Sequence, residues 1–355
     1  MKKAACALLL CGCIALSGCS RLFDGHYESV KPHEQQSPNV SDSMIVAADY
    51  EQLCDALTEL ILAGSEEGVI SVAEYSREKI EVDMQRAASK IRREHPLAAY
   101  AVEEITFDLG SRGGAALAVK INYLHDRTEI QKIGQAENMT EAINAITGSL
   151  NRCDAGIVLQ VDGYQETDFV QLVESYALEH PDLVMEIPRV SVNIYPESGK
   201  NRVIELKYTY QTSRDSLKNM RNQVQPFFDS AALYVSGDGK EGEKYAQLFS
   251  FLMERYDYQY STSITPTYSL LRHGVGDSKA FATVYAATCR LSELECTVVS
   301  GTYKGESRYW NIICDGGIYY HIDLLRDEFQ KRTDKQMEGY VWDYSAYPAC
   351  GAPAQ

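Results

Sequence analysis

The stretch that decides the fold is residues 273–323, which read HGVGDSKAFATVYAATCRLSELECTVVSGTYKGESRYWNIICDGGIYYHID. A turn with two glycines comes first. Asp277 and Ser278 follow it, and both residue types favour the N-terminus of a helix. Apolar residues then recur at a spacing of four, which predicts one helix. They are Phe281, Tyr285 and Cys289.

Three runs rich in β-branched and aromatic residues follow this helix and predict three strands. They are Glu295–Tyr303, Tyr309–Cys314 and Ile318–Asp323. The turn Asp315-Gly316-Gly317 joins the last two runs and is a strong hairpin signal. One helix followed by antiparallel strands indicates an α+β domain.

This order of motifs resembles the transglutaminase-like superfamily, whose domains have a papain-like fold. The family pattern is a glycine turn, Cys-x-Gly-Tyr-Ala at the start of a helix, a strand, His-x-Trp-Asn on a second strand, and Trp-Tyr-x-x-Asp on a third. The matching segments here are 278–282, 294–301, 308–311 and 319–323. The resemblance implies a cleft in which a thiolate attacks an acyl carbon, with a histidine as base and an aspartate that orients the histidine.

Two of the three catalytic positions depart from the family. Ser278 stands at the nucleophile position and Arg308 at the base position, whereas Asp323 matches. A hydroxyl needs a base to attack, and a guanidinium stays protonated and cannot accept a proton. The sequence therefore predicts a catalytically inactive domain whose cleft binds a peptide, a glycan or other cell-wall fragment, or a protein. The candidate cleft-lining residues are Trp310, Asn311 and Tyr320.

Two other functions stay open at this point. His321 lies two residues before Asp323, so both face the same side of a strand, and it could replace the missing base. The protein would then be an active peptidase or amidase that uses Ser278 with His321. A third possibility is a purely structural surface scaffold.

The N-terminus has the pattern of an export signal. Lys2 and Lys3 precede an apolar run, and Leu16-Ser17-Gly18-Cys19 follows it. This resembles the lipobox of bacterial lipoproteins, which implies that residues 1–18 are a signal peptide and that Cys19 is lipidated. We expect residues 19–44 to be a polar tether, and the protein to be anchored by its lipid on the extracytoplasmic side of the cell membrane.

Composition excludes several kinds of partner and cofactor. The formal net charge is −16 at pH 7, which argues against nucleic acid and against electrostatic docking on anionic lipid. Ten cysteines are present without a C-x-x-C pair, so the sequence predicts no zinc or other metal site. No phosphate-binding loop precedes a helix in a complete β-α-β unit, and we predict no cofactor.

Residues 45–222 read as a duplicated module, with copies at about 45–134 and 135–222. Each copy has the order β-α-β-β-α after an initial helix. The last helix of each copy aligns at one offset of 87 residues, because Arg127 corresponds to Arg214 and Ile130 to Leu217. The sequence thus predicts an α+β protein in which a duplicated βαββα module precedes a transglutaminase-like domain at 223–355.

Overall fold

The structure is a computed structural model that describes residues 45–110, 115–235, 239–260, 263–326 and 328–351. The predicted signal peptide, Cys19 and the tether to residue 44 lie outside these ranges. Val46–Gln355 forms one compact unit. None of the helices in the described ranges has both the length and the apolar character that a membrane crossing requires.

The first copy of the module is a four-stranded sheet covered by helices, with strand order β1-β2-β4-β3. Its first long helix begins at Tyr50 because the Asp49 carboxylate accepts the N–H of Gln52. The elements are β1 (Ile45–Val46), α1 (Tyr50–Leu62), β2 (Glu67–Ser71), α2 (Ile80–Glu94), α3 (Pro96–Ala101), β3 (Val102–Leu109), β4 (Ala116–Tyr123) and α4 (Arg127–Gln131).

The second copy has the same strand order, β5-β6-β8-β7, and its first helix is likewise capped by Asn138, which accepts the N–H of Glu141. Each copy also has a short edge strand before its first helix, which was not predicted from the sequence. The elements are β5 (Gly134–Ala136), α5 (Met139–Asn151), β6 (Gly156–Val161), α6 (Phe169–Glu179), β7 (Arg189–Tyr195), β8 (Arg202–Thr209) and α7 (Arg214–Ala231).

The copies differ most in their last helix. The five-residue α4 buries no side chain, whereas α7 runs for 18 residues with Pro226 inside it. From the sequence, Pro226 predicts the end of this helix, and that prediction is wrong. Val224 and Phe228 pack in the core of the C-terminal part, and this packing compensates for the one backbone hydrogen bond that proline removes. The predicted boundary at 222/223 falls inside α7, and the domain limits stay predictions.

The C-terminal part places α10 against an antiparallel sheet of strand order β13-β12-β11-β14, which confirms the α+β class. Gly316 and Gly317 both have positive φ and close the predicted hairpin. The C-terminal segment 340–348 is rich in aromatic residues, and we call it the aromatic tail; it supplies the edge strand β14. The elements are α8 (Glu241–Met253), β9 (Asp257–Tyr258), α9 (Pro266–His273), β10 (Val275–Gly276), α10 (Ser278–Leu291), β11 (Cys296–Tyr303), β12 (Glu306–Asp315), β13 (Ile318–Ile322) and β14 (Tyr340–Val341).

The two faces of this sheet are covered by different elements. On one face the Asn311 amide donates to the carbonyl of Ala282 in α10, at 2.9 Å. Because side chains alternate along a strand, Trp310 and Ile312 point to the other face. There they join Val299, Tyr340 and Trp342 in a separate aromatic cluster. The face on which a residue lies therefore decides whether its side chain contacts α10 or the aromatic cluster.

Candidate functional site

The nucleophile position lies at the start of a buried helix. Asp277 is the residue that caps α10, since its carboxylate accepts the N–H of Ala280 at 2.9 Å, and Ser278 is the first helical residue. The Ser278 hydroxyl oxygen accepts the backbone N–H of Tyr309 at 3.2 Å. Within the described residues, this hydroxyl donates to no acceptor. A serine in this setting has no base to remove its proton.

The base and orienting positions form a nearly buried ion pair. Arg308 donates from Nε and Nη2 to the Asp323 carboxylate, with N–O distances of 2.8 to 3.1 Å. The Asp323 side chain is 0% exposed and the Arg308 side chain 14%. The Leu325 N–H and the Tyr340 hydroxyl also donate to this carboxylate. A guanidinium held in this way can bind an anion but cannot act as a base.

The charges around Asp323 extend to Tyr340 and Arg326. Burial, followed by the Asp323 charge, raises the pKa of Tyr340 to about 12, so its hydroxyl stays protonated as a donor. Arg326 donates from Nε to the Tyr340 oxygen at 3.3 Å, and this bond raises the pKa of Arg326. The Tyr340 hydroxyl thus links the Arg326 guanidinium to the Asp323 carboxylate.

Lys279 is the residue next to the candidate nucleophile. Its Nζ lies 5.4 Å from the centre of the Tyr309 ring, which fits a cation–π contact. Burial lowers the pKa of this amine, while the charges of Glu174 and Asp277 oppose the shift. No hydrogen bond joins Ser278 to Lys279, Arg308 or Asp323 within the described ranges. The structure therefore brings the three positions into one region without assembling a catalytic triad.

His321 is held away from Ser278. Its Nδ1 accepts the indole N–H of Trp310 at 2.9 Å, and its Nε2 lies 2.9 Å from Asp334 Oδ1. Because an indole only donates, Nε2 must carry the proton and donate to Asp334. The side chain is fully buried, and burial lowers its pKa. With both nitrogens engaged, His321 cannot serve as the predicted alternative base.

The predicted cleft-lining residues are mostly buried. Trp310 and Asn311 are 0% exposed because β12 is covered on both faces, so neither lines an open cleft. Tyr320 is half-buried and packs at the rim of the core below α10, with Lys331 Nζ 5.6 Å from its ring centre. Of the three, Tyr320 alone has exposed surface that a ligand can touch.

One group of side chains has metal-ligand chemistry. Donor atoms of His321, Asp334 and Cys350 lie within 4.8 Å of one another. These residues already bind each other, since Asp334 accepts from His321 and from the backbone N–H of Cys350 at 3.0 Å. Burial raises the pKa of the Cys350 thiol to about 12, which disfavours the thiolate that a metal needs. These hydrogen bonds join the C-terminal segment to β13.

Three residues of the site escaped the sequence analysis: Arg326, Asp334 and Tyr340. The sequence predicts that the aromatic tail covers the cleft or the sheet edge, and β14 pairs with β11 and forms that edge. That expectation pointed to the region of Tyr340, but no local signal showed that its hydroxyl would reach Asp323.

Comparison with known proteins gives the domain its family. A family model for the transglutaminase-like superfamily matches residues 229–347. The chain contains a transglutaminase-like domain. The match begins inside α7 and includes Ser278, Arg308 and Asp323. No curated protein sequence matches the chain.

Solved structures show weak similarity. A candidate cysteine protease from Cytophaga hutchinsonii is 12% identical, with a TM-score of 0.28 over 43% of this chain and 65% of that one. A TGase is 10% identical, with a TM-score of 0.26 over 61% and 65% of the two chains. A candidate protease from Parabacteroides distasonis is 9% identical, with a TM-score of 0.23 over 50% and 44%. The chain thus spans less than two thirds of each of these proteins.

Proposed function

We propose that the protein is a lipid-anchored bacterial lipoprotein whose transglutaminase-like domain binds a peptide, cell-wall or protein ligand without transforming it. The observation that carries this proposal is the ion pair of Arg308 with Asp323. It occupies the position of the general base with a group that cannot accept a proton.

The loss of general-base catalysis is large enough to support an inactive site. A positioned general base typically contributes about 10² to 10⁴ in rate. The Ser278 hydroxyl accepts one backbone hydrogen bond and contacts no base among the residues that the structure describes, so it keeps the weak reactivity of an ordinary alcohol. Binding, by contrast, needs no proton transfer, and the partly exposed Arg308 guanidinium still offers polar contacts to a ligand.

Membrane attachment belongs to the same proposal. A net charge of −16 opposes binding to anionic lipid, so a covalent anchor is the simplest means of attachment. Cys19 in its lipobox-like sequence is the proposed site. Intact-mass measurement of protein from the membrane fraction should give a chain that begins at Cys19 with a diacylglycerol mass. Cys19→Ala protein that remains in the membrane fraction would contradict the anchor.

Catalysis is tested with the full chain and Ser278→Ala as the matched control. Glutamine-containing peptides are offered for hydrolysis and for amine transfer, and a fluorophosphonate probe is used to label reactive serine. We expect wild type and control to give equal product and equal labelling. Ser278-dependent turnover or labelling would overturn the proposed inactivity.

A second candidate function is acyl transfer by Ser278 with Lys279 as base. The lowered pKa of Lys279 favours it. Adjacent helical residues face different directions, however, and the amine lies over Tyr309. If Ser278-dependent turnover is found, its loss in Lys279→Met with retention in His321→Gln would identify this mechanism.

A further inference from the structure

We propose that Tyr303, Lys304, Arg308, Arg326, Tyr340 and Asp323 form a binding site for a carboxylate of the ligand. We call these six residues the cationic patch. The inference rests on the proposed function, because it names the ligand chemistry that a binding domain would select.

Three cations surround one aromatic ring in this patch. Lys304 Nζ and Arg326 Cζ each lie 5.1 Å from the centre of the Tyr303 ring, and Arg308 Cζ lies 5.9 Å from it. The protein as a whole carries a formal charge of −16. A local excess of positive charge in such an acidic chain is a specific feature of this surface.

Asp323 neutralises only part of this charge. It forms its ion pair with Arg308, whereas Lys304 and Arg326 form no ion pair within the described part of the chain. Glu306 lies opposite Tyr303 in the β11–β12 ladder, is exposed, and is likewise unpaired there. With two carboxylates, Asp323 and Glu306, beside three cations, the patch keeps one excess positive charge that a bound carboxylate would offset.

The donors are held in place before a ligand arrives. Tyr340 accepts from Arg326 and donates to Asp323, while Asp323 fixes Arg308. Nη1 of Arg308 and both terminal nitrogens of Arg326 have no partner in the described ranges. Planar guanidinium groups bind a carboxylate through two parallel N–H bonds, and rigid donors lose little entropy when they bind.

The polar contacts of the patch favour a peptide carboxylate over an apolar ligand. The ring of Tyr340 lies 4.5 Å from that of Tyr303, between their centres, so the floor of the patch is aromatic and can pack on a peptide chain. The cations then select an acidic side chain or a free C-terminus. Binding should weaken as salt rises, because partly exposed charges are screened.

Calorimetric titration of the full chain distinguishes these sources. The first peptide is acetyl-Glu-Ala-Glu-Ala-Glu-amide, the second is the neutral acetyl-Gln-Ala-Gln-Ala-Gln-amide, and the third is the Gln peptide with a free C-terminus. We expect the first to bind at least about tenfold more tightly than the second, the factor that one charge-assisted contact supplies. Stronger binding of the third peptide than of the second would identify the C-terminal carboxylate as a source.

Matched variants test the assignment to these residues. Arg326→Gln and Lys304→Gln, the latter at an exposed position, should each weaken binding of the Glu peptide, and Arg326→Lys should retain part of it. The exposed Arg272→Gln, on α9, should leave it unchanged. Any one of three results would overturn the carboxylate site. The Glu and neutral Gln peptides could bind equally, or both Gln variants could keep the wild-type affinity for the Glu peptide. Inorganic phosphate could also compete as strongly as the Glu peptide binds.

These outcomes are separate from the test of catalysis. Ser278-dependent turnover would end the proposed inactivity and leave the peptide titrations as they stand. Loss of carboxylate selectivity would end this inference and leave the inactive cleft intact.

Discussion

Two neighbouring side-chain pairs join β12 to the end of β13, and they have opposite characters. Arg308 and Asp323 form a charged pair that is partly open to solvent, whereas Trp310 and His321 form a neutral pair that is fully buried. The family's base position holds Arg308, a permanent cation, and the nearby His321 has a structural role as the acceptor for Trp310. A histidine close in sequence to a catalytic motif is therefore no guide to a base until its two nitrogens are accounted for.

The charged pair should give the largest effect on stability. Asp323→Ala leaves the Arg308 guanidinium without its carboxylate at 14% side-chain exposure, and it also removes an acceptor from Tyr340. Breaking such a pair costs about 3–5 kcal/mol. Urea denaturation should show this loss in the free energy of unfolding, whereas Asp55→Ala on the exposed face of α1 should change it by less than about 0.5 kcal/mol. A loss as small as the control's would show that the pair is weak.

The neutral pair should give a smaller effect. His321→Ala leaves the buried Trp310 N–H without an acceptor, at a cost of about 1–3 kcal/mol in unfolding free energy. The chain has two tryptophans, and the His321 ring lies 4.9 Å from Trp342, so tryptophan fluorescence reports on this site directly. His273→Ala, exposed at the end of α9, is the matched control. An unchanged emission spectrum and stability in His321→Ala would contradict a structural role.

The pH dependence of stability separates the pairs further. Burial lowers the pKa of His321 in the folded chain from 6.5, so the unfolded chain binds a proton more readily as pH falls below that value. The stability that neutral His321 contributes is therefore present above pH 6.5 and declines toward lower pH. Wild type should lose more unfolding free energy between pH 7 and pH 5 than His321→Ala. Parallel pH profiles would contradict this assignment, since His95 and His180 titrate in both proteins.

The sequence predicted the elements better than their limits. The hairpin glycines and the helix-capping residue Asp277 are local signals, and each lies where it was expected. The repeat was readable because the first helices of the two copies bury residues at the same spacing: Leu53, Leu57 and Ile61 in α1, and Ala142, Ile146 and Leu150 in α5. The extension of α7 past Pro226 could not be predicted from the sequence, because it depends on the tertiary packing of Phe228, and no local sequence signal reports such packing.

The site was predictable only where chemistry follows residue type. That Arg308 cannot be a base follows from its guanidinium alone. That His321 faces Trp310 depends on a strand register and on a tail that returns from residue 334, and neither is visible in the sequence. Long-range contacts of this kind decide whether a histidine is free or bound.

The central claim is that Arg308 at the base position leaves residue 278 without a general base and so prevents catalysis. Its most direct test is the rate of iodoacetamide alkylation at pH 6 in Ser278→Cys and in Ser278→Cys with Arg308→His. The restored histidine can accept the thiol proton and be oriented by Asp323, so we predict alkylation at least about tenfold faster in the double variant. Adding Asp323→Asn should remove the gain. Equal rates in the first two proteins would contradict the claim, because they would show that the identity of residue 308 does not control reactivity at position 278.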